Sequence, residues 1–126
     1  MARGTVLIAD DEALIRWALS EGLTESGFPV AAAATGAEAR AWLRAHEGTG
    51  CVILLDLRLP DVSDLSLLRE IRQNWPGVPV VMMTAHGTAD DATAALRLGA
   101  FRFVSKPFDV GEVVRIAGEA WAARNG

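Results

Sequence analysis

Cysteine is almost absent from this chain of 126 residues. Its one cysteine, Cys51, excludes an internal disulfide and a cysteine-cluster metal site. Cys51 opens an apolar run, where a small core residue is expected. No apolar run approaches the ~18 residues of a membrane span, and no signal peptide is legible at the start. These absences suit a reducing, cytoplasmic setting with no membrane contact. Positive charge is short too: a net charge of −4 argues against direct nucleic-acid binding by this chain. Lysine is scarcer than arginine, with Lys106 alone against 11 Arg. A lone Lys either marks a site that needs a compact ammonium or is chance. Linkers, internal repeats and low-complexity tails are missing, so residues 1–126 are expected to form one domain. A chain of this length buries roughly two thirds of its unfolded surface.

What is present is organised around Cys51-Val52-Ile53-Leu54-Leu55-Asp56, an apolar run of strand length that ends at a carboxylate. A continuous run of this kind reads as a strand buried on both faces of a parallel sheet. Its last residue then sits at the carboxyl edge, where open α/β folds place their ligands. Asp56 is the first functional candidate, although Asp is also common wherever a strand passes into a loop.

Four more strands are expected. They are Thr5–Ala9, followed at once by Asp10-Asp11-Glu12; the alanine-rich Pro29–Ala33; Val78–Met83, ending at Thr84; and Phe101–Ser105, ending at Lys106-Pro107. Helices are expected between them. The first, over Glu12–Ser26, turns Ile15, Ala18, Leu19 and Gly22 inward and is ended by Gly27 in a left-handed conformation. The second is capped by Thr35, with Glu38 completing a capping box. Its inward stripe is Ala39, Trp42, Leu43 and His46, and Gly48-Thr49-Gly50 ends it. A turn-rich loop over Leu57–Asp64 precedes a third helix at Leu65–Trp75. A fourth covers Ala89–Leu98, closed by Gly99. The last, Val110–Arg124, presents Val113, Ile116, Ala117 and Ala120. The four tryptophans, Trp17, Trp42, Trp75 and Trp121, stand at helical positions and are expected to pack. Strands alternating with helices imply a doubly wound parallel sheet covered on both faces.

In such a sheet Asp10, Asp11, Asp56, Thr84 and Lys106 share one edge. Three crowded carboxylates repel one another unless a cation enters. Oxygen donors without His or Cys suit Mg²⁺ rather than Zn²⁺. A divalent cation and an ammonium together stabilise a phosphoryl group in transfer, and a carboxylate among them can act as the nucleophile. Thr84 can donate to a phosphoryl oxygen, and the small Ala85 after it leaves space for one.

These residues, Asp10-Asp11, Asp56 ahead of Leu57-Arg58-Leu59-Pro60-Asp61, Thr84-Ala85 and Lys106-Pro107, resemble the receiver domain of bacterial two-component response regulators. The resemblance covers essentially the whole chain. It implies a flavodoxin-like (βα)5 fold with strand order 2-1-3-4-5, and phosphorylation of Asp56 by a histidine kinase. It further implies that Asp11, Asp56 and the Arg58 backbone carbonyl ligate Mg²⁺, with Asp10 acting through water. Lys106 would pair with the phosphoryl group beside a cis peptide to Pro107. Thr84 and Phe103 would form the switch. Met83-Thr84-Ala85-His86-Gly87, Leu98-Gly99-Ala100-Phe101 and Lys106-Pro107-Phe108 look most like the NtrC-type class. Those receivers usually precede an ATPase acting at sigma-54 promoters and a DNA-binding module.

Two departures stand out. Asp64 occupies a position where the family often has glycine, and Asp tolerates left-handed geometry better than most residues. The switch position holds Phe103, which offers no hydroxyl; the chain has no tyrosine at all. Arg58, Ala85 and His86 are expected to tune water access at the pocket mouth. Arg97, Arg102 and Arg115 lie either on a homodimer surface of the fourth helix, fifth strand and fifth helix, or on a solvated face.

The expectation is a signalling switch that modifies itself and turns over no metabolite, probed by a kinase and passing its state to an output domain outside the chain. A stand-alone phosphorelay or protein-interaction receiver is the alternative. An aspartyl-phosphate phosphatase fits less well, since that class separates its two first-strand Asp residues by one position. A flavodoxin fits least, since Asp10-Asp11-Glu12 would repel a flavin phosphate.

Overall fold

The computed structural model describes residues 4–48, 50–85 and 87–124. The expected loop residues Thr49 and His86 lie outside the described residues. Five strands and five helices alternate: β1 (Thr5–Ala9), α1 (Ala13–Glu25), β2 (Val30–Ala33), α2 (Gly36–His46), β3 (Cys51–Asp56), α3 (Ser66–Asn74), β4 (Val80–Thr84), α4 (Ala89–Arg97), β5 (Arg102–Ser105) and α5 (Val110–Ala123). All strand pairs are parallel, in the order β2-β1-β3-β4-β5.

Side chains alternate across a strand, so each central strand feeds two cores. Val52 and Leu54 of β3 join Val6 and Ile8 of β1 beneath α1 and α5. Ile53 and Leu55 join Leu7 and Ala9 beneath α2 and α3. Every residue of β3 is buried, which explains its unbroken apolar run. β2 lies at the sheet edge and exposes Ala32, which explains its weak pattern.

The helices match the expected spans to within a residue or two, and the α5 inner face is as expected. Gly27, at φ 89°, takes the left-handed position after α1, and Gly99, at φ 100°, follows α4. Four details differ. Trp17 does not pack: it is 64% exposed. It lies two residues before buried Leu19, hence ~200° around the helix. His46 is likewise exposed; in the last turn of α2 it stacks on Trp42 at 4.0 Å and its Nδ1 lies 2.9 Å from the Trp42 carbonyl oxygen. The α2 capping box is half formed: Thr35 accepts the Glu38 N–H, but Glu38 reaches one residue further back, to the Ala34 N–H. Asp64 is not left-handed, because its carboxylate accepts the Ser66 N–H and turns the chain into α3 without a positive φ; among the described residues Glu47 alone of the non-glycines has one.

Candidate functional site

The site sits where β1, β3, β4 and β5 end. Register sets its shape. Ala9 pairs with Leu55, so Asp10 and Asp56 follow side by side. Thr84 pairs with Ser105, and the Lys106 N–H continues that ladder to the Thr84 carbonyl at 2.8 Å. The Lys106–Pro107 peptide is cis.

Asp10 is completely buried and fully engaged. Its N–H donates to the Ala33 carbonyl, one carboxylate oxygen accepts the Glu12 N–H at 2.8 Å, and the other accepts Lys106 Nζ at 2.6 Å. Asp56, 6% exposed, accepts the Arg58 N–H at 2.9 Å on one oxygen and Lys106 Nζ at 2.9 Å on the other. Lys106 thus bridges the two buried carboxylates, and Glu12 approaches the same ammonium at 3.2 Å. Asp11 is exposed, and its carboxylate makes no hydrogen bond among the described residues.

The electrostatics follow from this packing. Burial pushes the Asp56 carboxyl above its ordinary range, against the Arg58 N–H and Lys106; the Asp10 charge adds to the rise. Burial alone would lower Lys106, but its hydrogen bonds to Asp10 and Asp56, with their charges, hold it firmly protonated. Cys51, by contrast, is an inert core thiol that burial pushes up to about 11.

Oxygens of Asp10, Asp11, Glu12 and Asp56 all lie within 4.8 Å of one another. Four carboxylates against one ammonium leave a local excess of negative charge. The donor set is oxygen alone, and it fits a hard divalent cation such as Mg²⁺. Glu12 was not among the expected site residues. The sequence places it at the start of the first helix, yet it makes no side-chain cap there and turns to Lys106 instead. The signal was three successive acids in a chain with one lysine.

Thr84 is buried at the end of β4, Ala85 is exposed at the mouth, and Arg58 is exposed beside Asp56. Phe103 is half-buried on β5. The Gly87 backbone lies directly against the Thr84 methyl and the Phe103 ring, so that a Cβ there would collide with both. Arg97, Arg102 and Arg115 are all exposed, with Arg115 paired to Glu119 at 2.9 Å.

Comparisons of sequence and fold with known proteins point to one family. The response regulator receiver domain family matches residues 6–117. The DNA-binding transcriptional regulator NtrC of Escherichia coli (strain K12) is 39% identical over 120 residues, 95% of this chain and 25% of the relative. The response regulator protein PilR of Pseudomonas aeruginosa is 40% identical over 125 residues, 99% of this chain and 28% of the relative. The chain therefore spans about a quarter of the length of these curated relatives. Among solved structures, the beryllofluoride-activated NtrC4 receiver domain dimer superposes with a TM-score of 0.87 at 33% identity, covering 95% of this chain and 98% of that one. The receiver domain of NtrX from Brucella abortus gives 0.83 at 31%, covering 93% and 98%. With its fold, its acidic strand-end cluster and these relatives in agreement, the chain belongs to the response regulator receiver domain family and is most like receivers of the NtrC type.

Proposed function

We propose that this chain is a phosphoacceptor switch in which Asp56 takes a phosphoryl group from a phosphohistidine of a histidine kinase. The observation that carries this reading is Lys106 held between Asp10 and Asp56, at 2.6 and 2.9 Å, where the sheet ends. An Asp56 carboxylate oxygen attacks phosphorus, the P–N bond breaks, and its electron pair returns to the imidazole. The Arg58 N–H holds Asp56 in orientation, and the Lys106 ammonium faces charge developing on the phosphoryl oxygens. Asp11, Asp56 and the Arg58 carbonyl would hold Mg²⁺, which supplies the remaining neutralisation of phosphoryl charge when bound. By the family resemblance Asp10 would act through water, while Asp11 is exposed and its carboxylate makes no hydrogen bond among the described residues.

Thr84 then donates its hydroxyl to the phosphoryl group, and Phe103 turns into the space released. The face built by α4, β5 and α5 shifts between two pre-existing states. Arg58, Ala85 and His86 would govern water access and so the lifetime of the acyl phosphate. Residues 1–126 act as the receiver module of a longer, cytoplasmic regulator of transcription. Support for that output comes from NtrC, named as a DNA-binding transcriptional regulator. Support for homodimerisation comes from the NtrC4 receiver, solved as a dimer. Among the described residues no helix is long and apolar enough to cross a membrane.

The test is intact mass after incubation with a small acyl-phosphate donor, with and without Mg²⁺. One Mg²⁺-dependent phosphoryl adduct is expected on the wild type and none on Asp56→Asn. An adduct that survives in Asp56→Asn would place the nucleophile elsewhere.

A further inference from the structure

The segment that carries Arg58 is pinned at both ends, and only one of its anchors belongs to the phosphoacceptor site. On the strand side, the Leu57 N–H donates to the Met83 carbonyl at 2.8 Å, and the Arg58 N–H donates to Asp56 at 2.9 Å. Beyond Arg58 the chain closes on itself. Leu59 and Val62 exchange backbone hydrogen bonds of 2.8 and 3.2 Å, with Pro60 and Asp61 at the tip. That closed turn is fastened to a different part of the molecule by one side chain. Asp61 accepts the N–H of Gly36 at 2.7 Å and of Ala37 at 2.9 Å, the first two donors of α2.

The fit is specific. A helix start leaves its first N–H groups without partners inside the helix. Thr35 takes that of Glu38, and Asp61 takes the two before it. A Cβ on Gly36 would come within 2.8 Å of a Val62 methyl and 3.1 Å of the Asp61 carboxylate, so a side chain there would have to displace one or both. These two bonds hold the Asp61 carboxyl below the usual carboxylate range. The α2 start follows β2, which pairs with β1, and Asp10 hangs from β2 through the Ala33 carbonyl. Asp61 therefore ties the loop leaving Asp56 to the side of the sheet that carries Asp10 and Asp11.

We propose that Asp61 is a positioning residue for the metal: its bidentate hold on α2 fixes the Leu59–Val62 turn and so aims the Arg58 carbonyl at the cation. This rests on the reading of Asp11, Asp56 and the Arg58 carbonyl as Mg²⁺ ligands. A group that orients a ligand typically governs affinity by about 10–100-fold. The Arg40–Glu70 pair, at 2.6 Å, joins α2 to α3 further along; Arg40 makes no hydrogen bond to this turn among the described residues, although its charge reaches Asp61. It supplies the control.

The experiment is calorimetric titration of Mg²⁺ into the wild type, Asp61→Ala, Asp61→Asn, Gly36→Ala, Glu70→Ala and Asp11→Asn, with melting of each in the absence of Mg²⁺. Asp61→Ala is expected to weaken Mg²⁺ by about tenfold. Asp61→Asn, which keeps one acceptor for one N–H, should lose less. Glu70→Ala should melt lower than the wild type yet bind Mg²⁺ equally well. Wild-type affinity in Asp61→Ala would overturn the proposal, as would an equal loss in Glu70→Ala, which would mean mere loosening. Should Asp61→Ala not fold, Asp61→Asn and Gly36→Ala carry the same comparison. A wild type that binds no Mg²⁺, or Asp11→Asn that binds it undiminished, would sink the underlying metal site and the proposal with it.

Discussion

Asp56 carries its charge where burial disfavours it, with Lys106 and one backbone N–H as compensation. Removing that charge should help the fold. Without Mg²⁺ at pH 7, Asp56→Asn is expected to melt a few degrees above the wild type, with Lys106 still donating to the amide oxygen. Added Mg²⁺ should narrow the gap, because a ligand stabilises only the protein that binds it. The pH dependence has a definite sign. The folded-state value of Asp56 lies above its unfolded one, so the folded protein takes up that proton first. Stability then rises as pH falls through the raised value, and Asp56→Asn lacks this gain. Melting curves of both proteins across mildly acidic pH check it. Asp56 could be picked out from the sequence because an apolar run stops at it. Glu12 is harder to pick out, because a helix start explains the third of three successive acids equally well.

Helix ends and the links between helices respond differently. Thr88 and Asp91 form a reciprocal capping box at α4, each accepting the other's N–H at 3.1 Å. Thr88→Ala is expected to cost about 1 kcal/mol. Denaturant titration reads that loss, and amide exchange should speed up first in α4. A Thr followed three residues later by Asp is a weaker local signal than the Thr35–Glu38 pair, yet the α4 box is complete and the α2 box only half formed. Between elements, Gly36 and Ala37 hold Asp61 low and Arg40 holds Glu70 low, while at the start of α3 Ser66 holds Asp64 low. For these groups the unfolded chain takes up protons first. Their stabilisation is complete above the unfolded values near ~4 and is lost as pH falls through the folded ones. Melting temperature should therefore pass through a maximum at mildly acidic pH, after the Asp56 gain and before this loss. Asp61→Ala should show a shallower fall on the acid side.

At the scale of the molecule, β3 is shared by both cores, and Leu54 is wholly buried beneath α1 and α5. Leu54→Ala is expected to cost about 2–5 kcal/mol, seen as a lower denaturant midpoint at unchanged slope. Leu14→Ala, at a side chain 80% exposed, should stay within ~0.5 kcal/mol. The contrast separates apolar residues that build the sheet's covering layers from those that only share a helix with them. The hydropathy of Leu14 and Trp17 reads like that of Leu19. Only the angle around α1 tells them apart, and that angle has meaning once the sheet is known to lie on one side.

The sequence by itself determined the alternation of strands and helices, the parallel sheet, and the meeting of Asp10, Asp56 and Lys106 at one edge. It did so because strand-length apolar runs and the polar residues that end them are local signals, and a parallel sheet turns equivalent local positions into neighbours. Tertiary structure alone decided which oxygens Lys106 takes, that Glu12 joins them, that Trp17 faces outward, and that Asp61 crosses to α2. Those contacts join residues 96 and 94 positions apart at Lys106 and 25 at Gly36. Spacing within a few turns of chain holds no information about which distant backbone group a side chain will find.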